Sequence, residues 1–424
     1  MLIGIDASRA NRAHKSGTEW YSYYLIRTLV TLDSHNQYIL YTDTPLTDGL
    51  ADLTINGQQN QQTPVVSSDG FQKIRSLHNN VKVKVLRWPF RFFWTQGRLS
   101  LEMLWKQPDV LYIPAHALPI IHPKKSVVTI HDIGFRSDEQ LYEKVKIGAD
   151  RRHSYQLVNH IIRLLSLGTY GANSVDYLEW STKYTLKQAR QVIAISEFTK
   201  QALMTTYKAT AEKITVIHNG YPSDLYKELP DDEVSKEVLA RYGIARPYFF
   251  YVGRLEKKKN IATLIEAFAS LKHRRGEGFN HKLCLVGDAS FGFDEIKYTI
   301  EEYDLDNDVI VTGWVSEQDL PYIFARAEAF VFPSNYEGFG IPLLQAMATG
   351  TPIAASNVAS IPEVVAEAAV LFDPKNSENM AEALEKVLFN NEIRDQLRVA
   401  GLDRVKMFSW QKAATETLSL IEKL

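Results

Sequence analysis

This 424-residue chain has almost no cysteine, almost no net charge and no long apolar run. Its single cysteine, Cys284 in KLCLVG, allows neither an internal disulfide nor a cysteine metal cluster, which fits a reducing cytoplasm. Among apolar neighbours, that thiol reads as a small buried side chain. No stretch approaches the ~20 apolar residues that span a bilayer. The opening MLIGIDASRANR lacks the basic leader and apolar core of a secretory signal. A formal charge of −2, with 23% charged and 45% hydrophobic residues, excludes a solvated, disordered chain. The expectation is a soluble cytoplasmic protein, long enough at roughly 100–200 residues per domain for two or three domains.

The small total charge hides an asymmetry. Residues 1–200 hold 24 Lys+Arg against 17 Asp+Glu, a net of +7, so the remainder stands at −9. A basic half suits an anionic ligand, nucleic acid or an acidic membrane surface, and composition does not choose among these.

Short runs rich in Val, Ile, Phe and Tyr alternate with stretches of helical period, the pattern of parallel sheets flanked by helices. Candidate strands are 2–6, 37–42, 81–86, 109–113, 126–131, 191–196 and 213–218, then 248–253, 282–287, 309–313, 329–334, 352–356 and 369–372. Between the two sets, HNGYPSDLYKELPDDE (218–233) carries Asn-Gly and two prolines and reads as a linker. The class is α/β: two doubly wound, Rossmann-like parallel-sheet domains, with ligands expected in a central cleft at the carboxyl ends of the strands.

The densest motif is NYEGFGIPLLQAMATGTPIAASNVASIPEVV, residues 335–365. Glu337 follows a strand, Gly338-Phe339-Gly340 opens a helix running through Leu344, Ala348 and Thr349, and Gly350 stops it. A helix start offers N–H groups and partial positive charge to hydroxyls or phosphate oxygens, and Glu337 can accept hydrogen bonds from sugar hydroxyls. A capped helix packed on a sheet accounts for the glycines but not for this Glu-Gly-Phe-Gly cluster. In YVGRLEKKKNIATLIEAF (251–268), Arg254 and Lys259 flank a strand-to-helix turn, as cations clamping a diphosphate would. The neighbouring Lys257 and Lys258 read as solvated surface.

The first half is less explicit. Ser16-Gly17-Thr18 precedes an aromatic helix, and Gly17 is either a turn residue or a point where a phosphate approaches the backbone. No G-x-G-x-x-G is present there, which argues against a nicotinamide dinucleotide. His131 and Asp132 close the strand SVVTIH; an isolated His is commonly structural, and Asp132 suits a turn cap. Ser196 reads as an N-cap and Glu197 as a first-turn acid, so structural and functional readings balance. Asp304-Leu305-Asp306 has a metal-binding D-x-D form, but it precedes a strand and so belongs to the wrong edge of a sheet. Residues 71–100 hold seven Lys/Arg and no acids, interleaved with Trp88, Phe90, Phe92, Phe93 and Trp94. The stretch is either a peripheral membrane or acceptor surface, or a half-exposed strand with core aromatics. Nothing accompanying it resembles a nucleic-acid-binding motif.

Together the motifs around residues 17, 131, 196, 254–260 and 337–345 resemble the family 4 retaining glycosyltransferases, whose fold is called GT-B. That family's signature is E-G-F-G-x-P-x-x-E-A-M-A-x-G-x-P-V, with G-R-(four residues)-K-N as its diphosphate motif. The resemblance covers nearly the whole chain. It implies a first domain over 1–205, a nucleotide-sugar domain over 220–408, and a terminal helix, 410–424, packing back on the first domain. It also implies catalytic roles for Glu337 and His131, and donor binding by Gly17, Arg254, Lys259, Gly338, Phe339, Gly340, Ile341 and Gln345. Ser196, Glu197 and Asp132 are implied cleft residues. Gln345 departs from the family, which has a second Glu there to hold the ribose, and this puts nucleotide affinity and preference in question.

By its IGIDAS, TIHDIGF and VIHNG elements the chain looks most like bacterial mannosyltransferases of surface polysaccharide synthesis. The resemblance then implies GDP-mannose as donor, with a UDP-sugar second, and a glycan or lipid-linked acceptor. It implies no metal, no cofactor and no nucleic acid, and a cytoplasmic place at the inner face of a membrane. A non-catalytic scaffold, an epimerase or a phosphorylase of the same fold are the alternatives.

Overall fold

A computed structural model describes residues 1–46, 49–53, 66–72, 79–89, 93–146, 152–165 and 169–424. They form two compact units, Met1–Asn219 with Trp410–Leu424, and Gly220–Ser409. Among the described residues no helix is long and apolar enough to cross a membrane.

The first unit is built on β1 (Leu2–Asp6), β2 (Gln37–Thr42), β3 (Val81–Val85), β4 (Val110–Ile113), β5 (Ser126–Ile130), β6 (Gln191–Ala194) and β7 (Ile214–Val216), paired in the order β3-β2-β1-β4-β5-β6-β7. All pairings are parallel. Every residue of β4 and β5 is buried, because helices cover both faces of a parallel sheet, and this is why these strands read as unbroken apolar runs. The chain starts in the middle at β1, winds outward through β2 and β3, then returns to β4 and winds the other way. The carboxyl ends of β1 and β4 thus part from each other, leaving a crevice where such sheets bind ligands.

The terminal helix Trp410–Glu422 belongs to this unit. Its buried stripe of Trp410, Ala413, Ala414, Thr417 and Ile421 has helical spacing. Trp410 stacks on Tyr24 of the helix Gly17–Leu32 with centroids 5.7 Å apart.

The basic aromatic stretch turns inward where it is described. Lys84 of β3 is buried and ion-paired with buried Glu102. The Trp94 indole donates to the Leu86 carbonyl at 3.0 Å, and the Trp88 ring lies against Gly97. Lys82 and Arg87 are exposed. Residues 73–78 and 90–92, with Phe90 and Phe92, lie outside the described residues.

The second unit repeats the plan with β8 (Tyr248–Val252), β9 (Lys282–Val286), β10 (Val309–Gly313), β11 (Ala329–Phe332), β12 (Ile353–Ser356) and β13 (Ala369–Phe372), in the order β10-β9-β8-β11-β12-β13. Here the direction reverses between β8 and β11. Phe250, Phe324 and Phe330 interlock beneath that point, with centroids 4.8–5.2 Å apart, and fix the two strands together. Cys284 is fully buried in β9, and burial pushes its thiol up to about 12, so it is inert packing.

Candidate functional site

In the second unit the strand ends are shaped by glycine. Gly253 leaves β8 at φ +147°, and a Cβ there would come within 2.5 Å of the Tyr251 hydroxyl. Gly287, at φ +139° after β9, would drive a Cβ to 2.0 Å from the Gly253 carbonyl. Only glycine fits both turns. They carry the chain to exposed Arg254, whose Nη2 donates to Ser290 Oγ at 2.9 Å. Asn260 then takes the left-handed conformation, φ 60°, and starts the helix Ile261–Arg275. Its amide bonds the Pro374 carbonyl at 2.8 Å, so this asparagine holds the turn.

Lys259 Nζ donates to Glu337 Oε1 at 2.6 Å, and Ser334 Oγ donates to the same oxygen at 2.7 Å. The Glu337 carbonyl accepts from Ser360 Oγ at 2.9 Å. Two motifs almost eighty positions apart thus meet at the carboxyl ends of β8 and β11. The pair is only partly buried, at 16% and 13% side-chain exposure, so a ligand can reach both groups. A cation and a carboxylate already joined can exchange this bond for a phosphate oxygen on one side and a sugar hydroxyl on the other.

Beyond Glu337, Gly340 sits at φ +99° and caps the helix Ile341–Ala348. Pro342 supplies no N–H, and the Leu343 N–H is bonded to the Gly340 carbonyl at 3.0 Å. Phe339 is 2% exposed and packs edge-on against Phe408 at 5.7 Å, so its ring is core and only its backbone is available to a donor. Gly338 is buried beside it, and Ile341 is half-buried. Gln345, 8% exposed, lies in the second turn of that helix. Asp304-Leu305-Asp306 lies between the helix Phe293–Glu302 and β10, at the amino end of that strand and so away from these groups.

The first unit's carboxyl edge is of another kind. His131 follows β5, and its Nε2 lies 2.8 Å from the Pro114 carbonyl. A carbonyl only accepts, so Nε2 carries the proton and Nδ1 keeps its lone pair. The ring stands edge-on to Tyr21 at 4.7 Å. Beneath it, the hydroxyls of Tyr21, Tyr112 and Thr129 close a buried triangle of 2.9–3.1 Å contacts. Burial lowers the His131 pKa, against the opposing pull of the Pro114 bond, Asp132 and Glu19. The imidazole is therefore neutral at pH 7 and acts as a hydrogen-bond acceptor.

The sequence reading passed over His116. It follows β4 at φ 67°, bonds Thr182 Oγ1 at 2.8 Å, and is pushed down to about 4 by burial. Asp6 was passed over as well. It ends β1, accepts from Ser8 N at 3.0 Å and Ser8 Oγ at 2.6 Å, and has its carboxyl pushed up by burial. The available signal was position: Asp6 ends β1 and His116 follows β4, the two strands that flank the reversal of the sheet.

Gly17 opens its helix with no atom within 4 Å of where a Cβ would stand. Neither packing nor a positive φ requires glycine there. Next to it, Glu19 accepts from Ser16 N at 3.2 Å and pairs with Arg9 at 3.1 Å. Ser196 is fully buried as the N-cap of the helix Glu197–Tyr207, accepting from Thr199 N at 3.0 Å. The Thr199 hydroxyl in turn donates to the His131 carbonyl at 3.3 Å. Exposed Glu197 accepts from Gln201 at 2.7 Å, and Asp132 accepts from Gly134 N at 3.0 Å as a turn cap. These three therefore do structural work at the edge.

Comparison with known proteins adds identity to this geometry. Residues 15–225 match the model of the family described as Glycosyltransferase Family 4, and residues 237–404 match that of Glycosyl transferases group 1. The chain is 29% identical over 331 residues to the O-antigen chain mannosyltransferase B of Escherichia coli, covering 77% of this chain and 84% of that protein. Its fold is similar to sucrose-phosphate synthase from Thermosynechococcus elongatus (TM-score 0.70, 20% identity, covering 100% and 98% of the two chains). It is also similar to Anabaena HepE solved with UDP and glucose (TM-score 0.67, 18% identity, covering 100% of each).

Proposed function

We propose, from the premise that this chain belongs to the family 4 glycosyltransferases of GT-B fold, that it moves a hexose from a nucleotide diphosphate sugar to a glycan or lipid-linked acceptor with retention of configuration. Mannose is the sugar to test first, because the O-antigen relative is named a mannosyltransferase; GDP-mannose is then the first donor and a UDP-sugar the second. The observation that carries the reading is the Lys259–Glu337–Ser334 cluster beside Arg254, at the reversal point of the second sheet.

In this reading Arg254 and Lys259 hold the diphosphate, with the backbone from Gly338 to Ile341 at the positive end of the helix beside it. As the bond from the sugar carbon to the phosphate oxygen breaks, charge builds on that oxygen, and the two fixed cations lower its energy. The acceptor oxygen bonds to the same carbon from the same face, and its proton passes to the departing diphosphate. Released from Lys259, Glu337 accepts from donor-sugar hydroxyls. On the first unit, His131 offers Nδ1 to a ligand hydroxyl as a neutral acceptor, and Gly17 leaves its helix start open to a ligand. Side chains supply the charge stabilisation, so we assign neither a metal nor a cofactor. We place the enzyme in the cytoplasm.

Nucleotide release from GDP-mannose and UDP-glucose, with and without membrane lipid extract, tests the assignment. GDP release that depends on the extract is the expected result. No release from any donor, together with no calorimetric binding of GDP or UDP at millimolar concentration, would sink it in favour of a non-catalytic scaffold.

A further inference from the structure

The amino edge of the first sheet, opposite the edge carrying His131, gathers four exposed apolar side chains. The short helix Ser100–Trp105 buries Met103 and Glu102 but leaves Leu101 47%, Leu104 54% and Trp105 81% exposed. Ile120, 52% exposed, adjoins them: its carbonyl accepts from Tyr184 Oη at 2.9 Å, and the next residue's N–H reaches Ser100 Oγ at 3.4 Å. A tryptophan this open beside three exposed aliphatics is uncommon on a surface that faces only water.

Cations surround the patch. Lys106 follows Trp105 in the loop entering β4, and exposed Lys124 and Lys125 enter β5; the Leu111 N–H bonds the Lys125 carbonyl at 3.0 Å and ties the loops together. Past Tyr184, a cavity of about 590 Å³ is lined by Lys187, Lys208 and Lys213. Lys213 Nζ is anchored on the Lys187 carbonyl at 3.1 Å. Several acids nearby are already engaged: Glu102 by Lys84 and Arg98, Glu179 by Lys183 and Tyr207, and Asp109 by the Leu2 N–H. Exposed Glu212 also lies along this edge, and Asp69, opposite the carboxyl end of β3, feels Lys106.

We propose that this edge docks on a bilayer containing anionic lipids, with Trp105, Leu104, Leu101 and Ile120 entering the headgroup layer and the lysines binding lipid phosphates. Exposed Trp and Leu with flanking lysines is the composition of interfacial segments. A second copy of the chain fits less well, because a two-fold contact here would set lysines against lysines. Docking this way holds the carboxyl edge roughly 15 Å from the lipid, the length of a five-residue strand at about 3.3 Å per residue. Such a standoff suits the end of a glycan more than the lipid itself.

Co-sedimentation of the full chain with vesicles tests this. The chain should bind vesicles of phosphatidylethanolamine with phosphatidylglycerol, and about tenfold more weakly those of phosphatidylcholine, with the preference lost in high salt. The double variant L104S/W105S should lose about tenfold in affinity for the anionic vesicles, and K124E/K125E should lose the lipid preference. Tryptophan emission should shift to the blue on binding in the wild type, and less in W105F. The proposal is overturned by absent binding, by binding that neither variant changes, or by a wild-type dimer in size-exclusion chromatography that L104S/W105S dissolves. Calorimetric binding of GDP without vesicles should be unchanged in these variants, so a failure here leaves the transferase reading intact.

Discussion

The two sheets share one plan, yet their carboxyl edges are chemically opposite. The second unit places Arg254, Lys259 and Glu337 there, with Lys259 ion-paired to Glu337 and exposed Arg254 bonded to the Ser290 hydroxyl. The first unit places two partly buried imidazoles, a triangle of hydroxyls and a buried carboxyl there. Both edges sit where strand order reverses, so topology fixes the location and side chains fix what is recognised. Cations held only by a carboxylate or a hydroxyl suit an anionic group that arrives and leaves. A rigid neutral edge suits hydroxyls, whose recognition depends on direction more than on charge.

The largest expected effect comes from removing a cation from the charged edge. Lys259→Ala should lower kcat/KM about 10²- to 10³-fold, the scale seen when a group that stabilises a developing anion is lost. It also frees the Glu337 carboxylate to repel the diphosphate. His131→Gln, at the neutral edge, keeps a hydrogen-bonding side chain and should cost at least tenfold less than that. Steady-state kinetics on both variants tests the contrast, and equal losses would break it.

The second effect separates the edges by pH. His116 and His131 have folded pKa values below the ordinary 6.5, so below that pH the unfolded chain binds more protons. Stability of the first unit should therefore fall as pH drops from about 6.5 toward 4, by an amount on the order of 2 kcal/mol. His281 in the second unit is also lowered by burial, but it is only half-buried and should contribute less. Hydrogen exchange resolved by peptide should show first-unit amides losing protection first on acidification. Simultaneous loss in both units would remove the distinction.

How far the contrast was legible follows from where each signal lies. The thirteen strands were visible as apolar runs because both faces of each sheet are covered. Several expected strand ends ran one or two residues long, as at Gly253, Gly287 and Ser334. Glycine and serine carry no sign of where the backbone leaves the sheet, whereas a φ of +147° does. The charged edge was readable because Arg254, Lys259 and Glu337 lie in compact motifs, although their ionic bond was not. The neutral edge was mostly hidden, since His116 is defined by burial against Thr182, 66 positions away. The Phe339 ring's packing on Phe408 was likewise not legible, because the residue sits in a glycine motif. Lys84, in a stretch read either as a surface or as a half-exposed strand, is buried by the fold against Glu102.

Gln345 is the neutral exception on the charged edge, and altering it should have the smallest effect. The side chain is 8% exposed, so a carboxylate placed there without a partner is poorly solvated. Gln345→Glu should therefore lower the Tm of the unliganded protein by a few degrees, about 1 kcal/mol. A bound nucleotide changes the balance, since ribose hydroxyls would donate charge-assisted hydrogen bonds, stronger by roughly 1 kcal/mol than those to an amide. Affinity for GDP should then rise about fivefold, and the Tm deficit should close at saturating nucleotide. Calorimetric titration with melting curves reads both quantities. A fall in Tm with unchanged affinity would mean that position 345 does not touch the ribose, and the charged edge would end at Glu337.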